Sequence, residues 1–369
     1  MSFFYISKSD LYIVQSAVLY IIKLKRKISL SESGGIFIMK TMKKMFLIGP
    51  GKTEIREVPI PEYNNDQVLV KLVYHGVCMS EHYAWEHAEA NNGVDNGFGH
   101  EPCGIVEAVG KNVTHVKPGD RVTGLGSNIA EYGVMNKENV YLIPDNVSFE
   151  DATGEPLACL LSAVSKVPMT FPGESSVAVV GCGYMGCGAI SLLKLRGAGK
   201  IVAIDIRKES LENALKYGAD EAYLVDELPE EYIADTANKN GFDYVMEWGE
   251  TEESLDIAIR VTKTLGFLGI GAYHTGEPRR VNMQLANVKA IDMLSTHPRD
   301  AQKTHKGIEK AMELLSSGQW NYKDLPVKIY PMDKFDQAHA ELETKFGKYM
   351  KALVDCQSFG TEPHLKNAD

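Results

Sequence analysis

Residues 177–186, VAVVGCGYMG, constrain the chain more than any other segment, because a β-branched strand runs directly into a G-x-G-x-x-G turn that opens a helix. Each glycine answers a physical demand. Gly181 permits the tight turn, Gly183 lets the backbone approach a pyrophosphate, and Gly186 allows the helix to pack closely on the strand. Tyr184 and Met185 complete the turn, and the helix beginning there aims its N–H groups and its dipole at the phosphates. Asp205 ends the next strand, 19 residues beyond Gly186. A carboxylate at that place accepts both ribose hydroxyls of NAD and repels a 2′-phosphate, so NAD is the expected cofactor. Arg207 suits stacking on adenine, although a guanidinium there also serves a 2′-phosphate.

The surrounding text has the same grammar: a strand at 177–180, a helix at 186–196, a strand at 201–204, a helix at 210–217 and a strand at 244–247. Such alternation predicts a doubly wound parallel sheet. Residues 43–143 read differently, as short β-rich runs (68–74, 104–110, 121–125) broken by Gly, Pro, Asn and Asp. The pattern predicts a mostly β module, a joining helix over 152–167, and a return of strand (327–330), helix (335–346) and strand (351–355) that closes on the first module. The expected fold is therefore α/β, with a β-rich domain over 39–168 and 325–369 and a nucleotide domain over 169–324. At about 150 residues per domain, a chain of 369 accommodates both.

Residues 1–38 fall outside this pattern. The apolar run 11–22 is too short for a bilayer, which needs about 20 residues, and its basic cluster (Lys23, Lys25, Arg26, Lys27) follows the run, where a secretory signal would put it first. The expectation is an extension outside the fold, with Met39 or Met42 as the natural start and no stable membrane insertion. A net charge of −10 disfavours nucleic acid and anionic lipid as partners. Six cysteines in so long a chain read as reduced thiols in the cytoplasm, and Cys182 and Cys187 beside the phosphate turn read as small packing residues.

Three segments carry side chains that one metal ion could gather: CMSEH at 78–82, GHE at 99–101 and EPLAC at 155–159. Paired C-x-x-C knuckles of a structural zinc site are absent from them, whereas a catalytic zinc needs three protein ligands and an open position. Each donor also has an ordinary explanation: Cys78 as a small core residue, His100 as a turn residue, Glu155 as an acid at a helix start.

The order of GHE with Gly104 and Gly110, then KPGDRV at 117–122, then EPLAC, then the nucleotide fingerprint resembles the zinc-containing medium-chain dehydrogenase/reductase superfamily, and most of all its sorbitol and polyol dehydrogenase branch. The resemblance spans about residues 42–356. It implies a GroES-like β domain carrying one catalytic Zn²⁺ and a Rossmann domain binding NAD. By position it implies Cys78, His100 and Glu155 as zinc ligands, Glu101 as a fourth ligand or a partner of the ligands, and Ser80 as the hydroxyl that passes the substrate proton. It further implies a homodimer or homotetramer acting on a small alcohol.

Three departures stand out. Glu81 replaces the family's usual Asp and keeps an acid beside the zinc loop. Tyr83 stands where many members have a relay histidine, with His82 one place earlier. No cysteine occurs over 123–134, where many members hold a second, structural zinc, so that ion is expected to be absent. The segment 82–87 with Asn91 and Asn92 is polar and aromatic, which suits a polyol, sugar or cyclitol. A hydroxy amino acid such as threonine, a simple alcohol, a zinc-free NADPH quinone reductase of the same fold, and a redox-sensing NAD-binding regulator are the competing readings.

Overall fold

The computed structural model describes residues 28–30, 36–38, 40–87, 98–342, 344 and 348–367. The apolar run 11–22, its basic cluster, Met39, Asn91 and Asn92 lie outside the described residues. Ile28–Leu30 and Ile36–Ile38 form an antiparallel pair of their own.

The first module opens with the hairpin β1 (Thr41–Gly49) and β2 (Lys52–Pro59). Its spine is β3 (Gln67–Val77), whose apolar residues Val68, Val70, Leu72 and Val77 are buried. A short helix α1 (His82–His87) follows, then β4 (Pro102–Val109), β5 (Arg121–Gly124), β6 (Tyr132–Asn136) and β7 (Val140–Leu142). Helix α2 (Gly154–Ser165), buried on most faces, leads out of this module.

The second module is the strand and helix alternation that the sequence predicts: β8 (Ser176–Val180), α3 (Tyr184–Leu195), β9 (Lys200–Asp205), α4 (Lys208–Lys216), β10 (Glu221–Leu224), β11 (Phe242–Glu247), α5 (Glu252–Val261), β12 (Thr262–Ile270), α6 (Met283–Val288), β13 (Asp292–Ser295) and α7 (Ala301–Ser316). Its six strands are parallel in the order β10-β9-β8-β11-β12-β13. Strands covered on both faces become continuous apolar runs, which is why Val177, Ala178, Val179 and Val180 are all buried. The order reverses between β8 and β11, and ligands of such sheets bind in the crevice beyond the carboxyl ends at that point.

The chain then returns. β14 (Val327–Pro331), α8 (Phe335–Ala340), β15 (Lys351–Asp355) and β16 (His364–Lys366) join the first module, β15 pairing antiparallel with β3. The result is an eight-stranded sheet in the order β16-β14-β15-β3-β4-β5-β7, with β6 also on β3. Helix α8 closes earlier than the spacing predicts: Glu341 is its C-cap and takes the Tyr330 hydroxyl at 2.6 Å. One core runs through both modules, joining Cys103, Leu157, Tyr184, Trp320, Tyr322 and Leu353. Each large side chain so buried contributes roughly 1.5–3 kcal/mol, which holds the two halves of the cleft in register.

Candidate metal centre and nucleotide cleft

A cavity of about 930 Å³ lies between the modules, with Cys78, His100, Glu101 and Glu155 in one wall and Gly181, Gly183, Tyr184, Met185, Asp205 and Arg207 in another. The metal-side donors come from separate segments that converge. Cys78 follows β3, His100 and Glu101 precede β4, Glu155 sits in the first turn of α2, and Lys351 opens β15.

Cys78, His100 and Glu101 each offer a ligand atom, all within 4.8 Å of one another. Glu155 stands outside that group, in the same cavity wall, with its Oε1 accepting the Cys159 thiol at 3.1 Å. Ser80 donates its hydroxyl to Cys78 Sγ at 3.1 Å. Glu81 Oε1 accepts the Gly99 N–H at 2.9 Å and faces His100 Nδ1 at 2.9 Å. That contact fixes the imidazole and turns Nε2 toward Glu101, 3.9 Å away.

Glu101 is fully buried and its Oε2 pairs with Lys351 Nζ at 2.6 Å, while Oε1 has no hydrogen-bond partner. Gly76 makes room for this carboxylate, since a Cβ there would fall 1.7 Å from Oε2. Lys351 was not singled out by the sequence; its signal was a lysine opening a strand whose next three residues, Ala352, Leu353 and Val354, are apolar and buried.

The electrostatics fit a cation. Burial raises the Glu155 carboxyl, and the neighbouring Glu101 charge raises it further. Burial would also raise Glu101, but Lys351 and His100 outweigh it and hold that carboxyl below its ordinary range. Burial opposes a charge on His100, yet its hydrogen bonds with Cys78 and Glu81 and the charges of Glu101 and Glu81 push it up to about 12. Crowded anionic donors thus draw a proton onto the imidazole. A divalent cation relieves the same repulsion, and a Cys, His, carboxylate set with an orphaned buried Oε1 suits zinc.

On the nucleotide side, Gly181 has φ +86, and a Cβ there would lie 2.7 Å from the Gly249 nitrogen. Asp205 Oδ2 accepts the Cys182 N–H at 2.6 Å, and Oδ1 accepts the Arg207 N–H at 2.9 Å with Nε at 3.4 Å. The acid therefore braces the turn while it faces the cleft. Cys182 and Cys187 are buried free thiols within the packing around it. His82, Tyr83 and Glu86 line the cavity, while Trp85 turns inward and donates Nε1–H to Asp336 at 2.9 Å.

The Alcohol dehydrogenase GroES-like domain profile matches residues 64–145 and the Zinc-binding dehydrogenase profile matches residues 185–317, together more than half of the chain. The chain belongs to the zinc-containing medium-chain dehydrogenase/reductase superfamily. It is 28% identical to a probable D-xylulose reductase A of Aspergillus fumigatus, over 84% of this chain and 95% of the relative. It is 27% identical to the sorbitol dehydrogenase of Mus musculus, over 85% and 96%. Among solved structures it resembles 2R,3R-butanediol dehydrogenase from Bacillus subtilis (TM-score 0.70, 21% identity, 85% of this chain and 99% of that one). L-idonate 5-dehydrogenase from Escherichia coli has a TM-score of 0.72 at 19% identity, over 86% and 99%. At that identity the structures speak for the fold.

Proposed function

We propose that this superfamily member is a zinc- and NAD-dependent dehydrogenase that oxidises a secondary alcohol of a polyol, sugar or cyclitol, or runs the reverse reduction. The observation that carries the reading is the Cys78, His100 and Glu101 cluster opening into the same cavity as the phosphate turn. The names of the two curated relatives support a polyhydroxylated substrate.

Cys78, His100 and Glu101 would hold the zinc, with Glu155 beside them at the substrate edge. When bound, the ion supplies Lewis acidity that lets a hydroxyl ionise near neutral pH, and the nicotinamide supplies the hydride acceptor. The protein's own part is positional. Glu81 orients His100, and Lys351 holds Glu101 so that its free Oε1 faces the donors. The Ser80 hydroxyl, at the rim of the donor set, takes the substrate's proton and passes it on. Asp205 receives the ribose hydroxyls, and its pull on the Arg207 side chain favours NAD over a 2′-phosphate. Tyr83 and Glu86 offer polar groups to further hydroxyls.

Six free thiols support a cytoplasmic setting. Among the described residues, no helix is long and apolar enough to cross a membrane. The exposed Leu294 on edge strand β13, with Met283 and Val288 near it in sequence, supports a homodimer or homotetramer, which light scattering would measure.

The deciding experiment is metal content with a cofactor and substrate screen. About one zinc per chain, with NAD reduction on some member of a polyol panel, is the expected result. A folded protein that binds NADH and retains no zinc would overturn the reading in favour of a zinc-free reductase.

A further inference from the structure

Glu247, at the carboxyl end of β11, is fully buried and takes no part in the chemistry above. Its Oε1 accepts the N–H of Gly249 at 2.6 Å, the N–H of Glu250 at 2.9 Å and the Ser254 hydroxyl at 2.7 Å. Its Oε2 faces His274 Nε2 at 2.9 Å. Its backbone carbonyl accepts the N–H of Gly271 at 2.9 Å and of Ala272 at 3.2 Å. One residue therefore ties the turn after β11 to the loop after β12.

Both segments face the cleft. Gly249, Gly271 and Tyr273 line the cavity, and the Trp248 indole packs over Gly271, where a Cβ would meet it at 2.6 Å. Gly249 in turn abuts Gly181 of the phosphate turn. His274 holds a left-handed backbone, φ +50, uncommon for a residue with a Cβ, and its Nδ1 is buried without a hydrogen-bond partner. A strained residue persists where its surroundings over-determine it, and here the Glu247 contact does so.

We propose that Glu247 and His274 are a positioning pair for the nicotinamide half of the bound nucleotide, locking the 271–275 loop against the phosphate turn. Asp205 lies on the β9 side of β8 and receives the adenosine half, while β11 and β12 lie on the opposite side, where the other half must run across the crevice. The pair thus has a side of its own. This inference rests on the NAD reading.

The pairing chemistry permits a rescue. With Nε2–H donating to the carboxylate, Glu247→Leu and His274→Phe both lose the contact. Glu247→Gln keeps an acceptor oxygen for the three donors, and its NH₂ can donate to His274 in the other tautomer. The test is titration of each zinc-loaded variant with NADH and, separately, with AMP. We expect His274→Phe and Glu247→Leu to weaken NADH roughly tenfold, the size of one charge-assisted hydrogen bond, with AMP affinity and zinc content unchanged and Glu247→Gln restored to near the parent value. Unchanged NADH affinity in His274→Phe, equal loss of AMP and NADH, or no rescue by Gln would each overturn the pair's role. If Glu247→Leu fails to fold, His274→Phe decides, since that side chain is 13% exposed. An unaltered chain that binds neither nucleotide would sink the NAD reading itself, and the pair's role with it.

Discussion

The two walls of the cleft are built on opposite principles. The nucleotide wall is a local device, in which a contiguous turn, residues 181–186, presents backbone N–H groups and its glycines are dictated by contacts closer than 3 Å at Gly181 and Gly186. The metal wall is assembled from positions 78, 81, 100, 101, 155 and 351, and its parts are charges buried against one another. A backbone device tolerates side-chain change around it. A buried charge cluster does not, because removing one partner leaves another uncompensated.

The sharpest way to break this contrast is Cys78→Ala. Turnover should vanish while NADH binding, measured by titration, stays near the parent value. Retained turnover would dissolve the distinction between the walls. Gly76→Ala should come next, since the new Cβ must displace the Glu101 carboxylate. An overpacked core costs about 1–3 kcal/mol, read by denaturant unfolding, and zinc should be lost with it. Glu81→Ala, which frees His100 to turn, should weaken zinc about 10–100-fold in chelator competition and leave NADH binding unaffected. On the other wall, Asp205→Ala removes the acceptor for both ribose hydroxyls and should raise the KM for NAD by at least roughly tenfold, the size of a single hydrogen bond to a charged group, with zinc content unchanged.

The same contrast governs what the sequence could reveal. The doubly wound sheet and its phosphate turn were legible because period and glycine spacing are written in consecutive residues. The β-rich module was legible as a class, and a terminal strand over 351–355 closing on it was expected from its pattern, whereas its antiparallel pairing with β3 was supplied by the structure. Convergence was harder to read. Spacing alone cannot say that Glu101 lies within 4.8 Å of Cys78 and His100 while Glu155 stands apart, since that depends on where β3, β4 and α2 meet. Lys351 lies 250 residues from its partner Glu101, and nothing short of the β15 to β3 pairing brings them together. The pair of Glu247 and His274 has no motif either. A glutamate closing an apolar strand was visible, but its partner was set by a loop.

The last expected effect concerns protons on the metal side. His339, on α8, is fully buried against Trp85, Phe98 and Phe335, and neither ring nitrogen has a hydrogen-bond partner. Burial, with a further push from His82, lowers its pKa to about 3 from an ordinary 6.5. The unfolded chain therefore takes up a proton near 6.5 that the folded chain refuses until about 3. The native state keeps its full advantage above 6.5 and loses it progressively as pH falls through that window. His339→Leu removes the titrating group and keeps an apolar side chain among the rings, so unfolding midpoints between pH 3 and 6.5 should fall less steeply than in the parent. Identical slopes would mean that the acid sensitivity lies elsewhere, the buried His75 being the next group to replace.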